Sequence, residues 1–166
     1  MMDIKEHNSQ YYSQADRDLW ETRTILNIAG MKVPQYIFHG HVDPYDHSIL
    51  IYEQIMKYEE YFKNKKFLDI GTCAGINNLL LTKAGFHVEG LDNNIYSLNC
   101  SLYTMDLNNV YYKVHFGDHN DIEKMDYDIL LVNQMNYIAG FMDALEPILK
   151  REKERGRESI MFMGRL

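Results

Sequence analysis

A chain of 166 residues is long enough for one domain with a buried core and too short for two of ordinary size. Its 17 Lys and Arg against 24 Asp and Glu leave a net charge of −7, which argues against a broad basic surface for duplex nucleic acid, so nucleic acid is not an expected partner. Cys73 and Cys100 are the only cysteines, there is no C-x-x-C pair or secretory leader, and no apolar run reaches the ~18 residues of a bilayer span, so a reducing, cytoplasmic setting without a disulfide framework or membrane anchor is expected.

Residues 1–14 are polar and without period, and read as a loose arm. Between Asp16 and Ala29, the positions of Leu19, Trp20, Ile25, Leu26 and Ile28 form an imperfect helical stripe ending at Gly30. It predicts a helix that covers a face or edge of a sheet, or serves as a lid. His39, His41, Asp43, Asp46 and His47 then fall within nine residues, and imidazole and carboxylate together suit zinc, iron or manganese. The spacing is similar to the H-x-H-x-D-H of metallo-β-lactamase-like hydrolases. It departs from that motif where Pro44-Tyr45 separates Asp43 from Asp46-His47, and 166 residues leave little room for that family's two-layer sandwich. The plainer reading is a polar loop turned by Pro44, with Asp46, His47 or Ser48 capping the next helix, and no bound metal. From Ser48 to Phe62, Ile51, Ile55, Tyr58 and Phe62 recur at helical spacing and predict an amphipathic helix lying on the sheet. Residues 1–62 are thus expected to be a helical cap or arm on a core formed by residues 63–166.

The core opens with Lys66 to Leu81. An apolar run (Phe67, Leu68, Ile70) holds Asp69, turns at Gly71-Thr72-Cys73-Ala74-Gly75 and continues into a helix with free amides at its start. About twenty residues on, Phe86 to Asp92 is a second strand ending in an acid, placed beside the first turn, where a carboxylate accepts ribose hydroxyls. The pattern is D-x-G-x-x-x-G, then strand, then Asp, with Cys73 standing where a middle glycine would complete G-x-G-x-x-G. This resembles the S-adenosylmethionine (SAM) binding region of Rossmann-like (class I) methyltransferases, over roughly residues 66–164. The resemblance implies that Asp69 and the turn of Gly71, Thr72, Cys73 and Gly75 hold the methionine end of SAM, with Asp92 and Asn93 at the ribose.

A second crossover helix follows, from Asn93 to Asp106, with Ile95, Leu98, Leu102 and Met105 at spacings of three and four. A third strand runs over Val110 to Phe116, with Val110, Tyr112, Val114 and Phe116 sharing a face. By the same resemblance, Gly117-Asp118 after that strand would meet the adenine; as residues alone they are equally an ordinary turn. Asp126 to Val132 is a fourth, fully buried strand. Asn133 leaves its end, where the resemblance puts the reactive methyl; the Asn/Asp-Pro-Pro-aromatic motif of base-amine methyltransferases lacks both its prolines in Asn133-Gln134-Met135-Asn136-Tyr137. Phe141 to Glu154 predicts a helix despite Pro147, and Ser159 to Met163 a fifth strand.

Strands alternating with helices predict an α/β fold, a doubly wound, mainly parallel sheet of about five strands in the order 3-2-1-4-5. The resembling family continues into a C-terminal strand pair that this chain lacks. The fifth strand is therefore expected to have its edge covered by the N-terminal segment, a second copy of the chain, another partner or residues beyond this sequence. The expected activity is SAM-dependent methyl transfer to a small molecule or modest-sized acceptor, with His41, Asp46 or His47 as general base and one of these, or Tyr36, lining the acceptor pocket. A catalytically idle SAM-binding accessory subunit and a metal-dependent hydrolase remain the rival readings.

Overall fold

The computed structural model describes residues 2–35, 37–38, 41–42, 45–71, 75–133 and 140–162, and for residues 37–38, 41–42, 45–48, 133 and 162 it describes the backbone. Helix α1 (Ile4–Asn8), capped by the Asp3 carboxylate on the Lys5 N–H, leads through a short 3-10 turn into α2 (Gln14–Glu21). The start of α2 is fixed by a reciprocal capping box between Ser13 and Asp16. Two findings here correct the expectations from sequence. Residues 1–14 are no loose arm, and the helix expected over Asp16–Ala29 ends at Glu21. Ile25–Ile28 (β1) and Met31–Pro34 (β2) form an antiparallel hairpin in which Ile28 pairs with Met31, so Ala29 and Gly30 alone make the turn. Both have positive φ, the signature of a primed hairpin turn, which ends a helix but suits two twisted strands.

A second hairpin, β3 (Ile37–Phe38) with β4 (His41–Val42), precedes α3 (Tyr45–Lys57) and α4 (Glu59–Phe62). The single helix expected over Ser48–Phe62 is broken at Tyr58, whose side chain is exposed rather than inward. The core then runs β5 (Lys66–Ile70), α5 (Ile76–Lys83), β6 (His87–Asp92), α6 (Ile95–Asn108), β7 (Lys113–Phe116), a 3-10 turn at His119–Lys124, β8 (Ile129–Asn133), α7 (Phe141–Glu154) and β9 (Glu158–Phe162). These five strands form one wholly parallel sheet in the order β7-β6-β5-β8-β9. Counted from the glycine strand this is the expected 3-2-1-4-5.

Alternation along each strand divides the core. Phe67, Val88, Val114, Ile129 and Leu131 face α5 and α6, while Leu68, Ile70, Leu91, Leu130 and Val132 face Leu145 and Ile148 of α7 and Ile122. Helix α6 has a second burden. The N-terminal elements pack on its far side: Arg17 pairs with Asp106, Trp20 stacks 4.7 Å from the Tyr96 ring, Arg23 donates to Tyr96 Oη, and Asn108 exchanges two hydrogen bonds with the Lys32 backbone. Covered on both sides, every residue from Ser97 to Met105 is buried, and no charged residue occurs between Ile95 and Met105. Ile95 and Phe116 are exposed.

The N-terminal segment also closes a sheet edge, the one beside β7. The Asn8 amide donates to the Tyr112 carbonyl (2.9 Å) and accepts from the Val114 N–H (3.1 Å), and His7 Nε2 donates to the Val114 carbonyl (2.8 Å). A side-chain amide thus stands in for the missing neighbouring strand. At β9, Tyr61 Oη donates to the Glu158 carboxylate at 2.5 Å. Among the described residues no helix is long and apolar enough to cross a membrane.

Candidate functional site

Because all five strands are parallel, their C-terminal ends lie on one edge, and four ends converge there. Ile70 pairs with Leu91 on one side and Val132 on the other, and Asp92 pairs with Phe116. The ladder continues one residue further: Gly71 N–H donates to the Leu91 carbonyl (2.8 Å) and Gly117 N–H to the Asp92 carbonyl (3.0 Å). Gly71, Asp92 and Gly117 are therefore adjacent, and Asn133 is level with Gly71 on the far side of β5. This is the carboxyl-end crevice at which open α/β sheets take ligands.

Side-chain alternation directs Asp69, Asp92 and Phe116 to the α5–α6 face, the side of Phe67, Val88 and Val114. Asp69 is 4% and Asp92 8% exposed. Asp92 Oδ1 accepts the Asn94 N–H at 2.9 Å, and Asn94 Oδ1 accepts the Tyr96 N–H, so the acid at the strand tip is held by the cap of α6. Asn93, the neighbour expected at the ribose, is exposed, and the residue that organises this tip is Asn94. Phe116 is 54% exposed at the same tip. Asp118 caps the 3-10 turn, accepting from the Asn120 N–H while Asp121 accepts from the Asp118 N–H. That N–H and the Lys124 ammonium hold the Asp121 carboxyl below its ordinary range. The turn reading of Gly117-Asp118 is thus built into the backbone.

The charge of this edge is one-sided. No Lys or Arg occurs from Phe67 to Thr82, from Val88 to Tyr112 or from Val114 to Glu123, whereas Asp69, Asp92 and Asp118 all stand at the strand ends. A pyrophosphate would add negative charge to an acidic edge, while a nucleoside with a cationic arm complements it.

Gly75 opens α5 in the left-handed conformation, φ +75°. A Cβ built there would lie 2.0 Å from Tyr112 Oη and 3.2 Å from Ser101 Oγ, so the hydroxyl of Tyr112, just before β7, occupies the space that any side chain would need. The helix has no side-chain cap, and its first intrahelical bond is Leu79 N–H to the Gly75 carbonyl, which leaves the amides of Ile76 and Asn77 as a donor pair at the crevice. Asn77 is 3% exposed, and neither Oδ1 nor Nδ2 has a hydrogen-bond partner. Sequence reasoning passed over Asn77, although an Asn pair inside the otherwise apolar Ile76-Asn77-Asn78-Leu79-Leu80-Leu81 was its signal.

Thr72 and Cys73 lie outside the described residues, as do His39, Asp43 and the side chain of Asn133. His41 lies in β4, and Asp46 and His47 follow Tyr45 in the first turn of α3; their side chains too are outside the description, so the metal reading and the general-base reading of this segment both fall there. Among the described residues no three metal-ligating side chains come together. A hollow of about 380 Å³ lies between α3, the C-terminal half of α5 and the β1–β2 turn, lined by Ile49, Tyr52, Glu53, Leu80, Lys83 and Ala84; it is distinct from the strand-tip crevice.

Known proteins share this fold. No protein-family model matches the chain. Over 118 residues, 71% of the chain, it is 25% identical to the tRNA (uracil(54)-C(5))-methyltransferase of Pyrococcus abyssi, of which the match covers 29%. The crystal structure of the P. abyssi tRNA (uracil-54, C5)-methyltransferase in complex with S-adenosyl-L-homocysteine superposes with a TM-score of 0.59 at 22% identity, over 79% of this chain and 32% of that one. A SAM-dependent methyltransferase from Agrobacterium tumefaciens superposes with a TM-score of 0.55 at 17% identity, over 67% of this chain and 39% of that one. The chain spans about a third of the length of these relatives.

Proposed function

We propose that this chain, which has the fold of the Rossmann-like, SAM-dependent methyltransferases, binds S-adenosylmethionine across the ends of β5, β6 and β7 and directs its methyl group to an acceptor. The observation that carries the reading is the juxtaposition of the Gly71 turn and the buried Asp92 carboxylate, joined through the Gly71–Leu91 hydrogen bond. When bound, SAM supplies an electrophilic methyl on a sulfonium, so the protein need only hold donor and acceptor in line and keep water out.

The parts fit that cofactor. Asp92 accepts the ribose hydroxyls, the uncapped start of α5 and the Gly71–Gly75 turn face the methionine end, and the acidic edge favours the sulfonium over a phosphate-bearing nucleotide. Phe116, exposed beside Asp92, offers an apolar surface to the base, with the Gly117-Asp118 backbone next to it. Asn133, at the end of β8, borders the methyl, and Asp46 or His47, in the first turn of α3, supplies the general base where the acceptor carries a proton. Binding calorimetry with S-adenosylhomocysteine on wild type and Asp92→Ala tests the reading. Binding lost in the variant supports it, and equal affinity removes Asp92 from the site.

The acceptor we favour is a small or modest-sized molecule, because among the described residues the tips of β5, β6 and β7 carry three aspartates, Asp69, Asp92 and Asp118, and no Lys or Arg to meet a phosphate backbone. The match to a tRNA methyltransferase favours a second reading, an RNA acceptor. Incubation with methyl-labelled SAM separates them. Label in bulk tRNA would install the RNA reading, label in a low-molecular-weight fraction the first, and SAM binding without any transfer an accessory role.

A further inference from the structure

We propose that Asn77 is a ligand-recognition residue, its amide reserved for the amino-carboxylate end of the methyl donor. The inference rests on the SAM reading above and assigns a side chain which that reading does not need. Buried polar groups in folded proteins are paired with few exceptions, and each exception asks for a cause. Asn77 is such an exception twice over, with a donor and an acceptor both unsatisfied in a side chain 3% exposed.

Its position supplies the cause. Asn77 is the second residue of α5, and side chains in a helix lean toward its N-terminus, here toward the Gly71–Gly75 turn. The backbone amides of Ile76 and Asn77 open onto the same end with no side-chain cap between them. Oδ1 can accept and Nδ2 can donate, and the end of SAM placed at the start of α5 in the reading above, its α-ammonium and carboxylate, offers a donor and an acceptor side by side. The carboxylate takes the helix amides and Nδ2, and the ammonium donates to Oδ1. An apolar residue would pack better in the free protein, since a leucine of similar volume leaves nothing unsatisfied.

Calorimetry on wild type, Asn77→Leu and Asn77→Ala with two probes tests this: S-adenosylhomocysteine, which carries the amino-carboxylate, and 5′-methylthioadenosine, which lacks it. The expected result is at least tenfold weaker binding of S-adenosylhomocysteine by both variants, with methylthioadenosine affinity unchanged and a higher melting temperature for ligand-free Asn77→Leu. Equal losses for both probes would make Asn77 a scaffold residue and overturn the proposal. So would unchanged affinities, the outcome if the amide merely holds a buried water, and so would a change confined to the acceptor's KM. If wild type binds neither probe, the methyl-donor reading falls and this inference falls with it; if wild type binds both and only the variants behave as wild type, Asn77 alone is excluded.

Discussion

Glu152 and Asn77 are equally buried, at 3% exposure, and are treated in opposite ways by their surroundings. On α7, the Glu152 carboxylate accepts from Tyr127 Oη (2.9 Å), Arg157 Nη1 (2.7 Å) and Arg155 Nη1 (3.0 Å), and Arg157 also reaches the Met125 carbonyl. Burial pushes the Glu152 carboxyl up, but Tyr127 and the two guanidiniums outweigh it and hold it below its ordinary range; burial and the carboxylate together push the Tyr127 phenol up to about 12. That network is complete within the chain, and it ties α7 to the loop before β8. On α5, the Asn77 amide has its partners supplied by nothing in the fold. A polar group whose bonds close inside the protein is structural; one placed at a strand-tip crevice with its bonds open awaits something that arrives later.

The contrast can be broken most forcefully at its closed end. Glu152→Ala strands Arg157 and Tyr127 and is expected to cost about 4 kcal/mol of stability, read from urea unfolding; a loss below about 1 kcal/mol would mean the network is ornamental and the comparison empty. Gly75→Ala comes next. It forces a Cβ against Tyr112 Oη in a left-handed backbone, at an expected cost of about 3 kcal/mol together with loss of S-adenosylhomocysteine binding. Wild-type stability in this variant would show that Tyr112 can swing away. Asn8→Ala leaves the Val114 N–H and Tyr112 carbonyl to water and is expected to cost about 2 kcal/mol, with faster hydrogen exchange at Val114 and unchanged ligand affinity. Altered affinity would tie the β7 edge to the crevice.

The smallest effect expected is that of pH on the seam between α1 and β7. Burial, aided by His115 and Lys113, holds the His7 imidazole below its ordinary value despite the Val114 carbonyl, and the unfolded chain therefore binds the proton more readily. Stability is expected to fall as pH drops from neutrality through the folded value of His7. Burial raises the Glu89 carboxyl, but His115, at 2.6 Å, and Lys113 carry it below its usual range, so its contribution is present above the unfolded value and lost in more acidic solution. Both act in one direction, with the histidine first. Thermal melts at neutral and mildly acid pH should show the drop in wild type and a smaller one in His7→Gln; equal drops would remove His7 from the seam.

How much could be read without coordinates differs along the chain. The core was legible where local pattern and tertiary environment agree: buried runs such as Leu130-Leu131-Val132 have one plausible fate, and Gly71, Gly75 and Asp92 sit at positions the βαβ unit dictates. The N-terminal third was less so. Ile25, Leu26 and Ile28 fit helical spacing as well as a strand, and the choice was made by the turn at Ala29-Gly30 and by the α6 surface the hairpin covers. Asn8 looked like an idle polar residue because its partners are more than a hundred residues away, on β7.

Composition and spacing, on their own, determined the strand and helix alternation and the parallel sheet, because those follow from periodicity and from the short connections such a sheet permits; the sheet order and the two strand tips that make the crevice came with the resemblance to Rossmann-like methyltransferases. Only the tertiary structure decided that α6 is buried on both sides, that the β7 edge is closed by the side chains of His7 and Asn8, and that Asn77 lies inside without a partner. These depend on which distant surfaces meet and whether each donor finds an acceptor there, a matter of three-dimensional contact that no local pattern encodes.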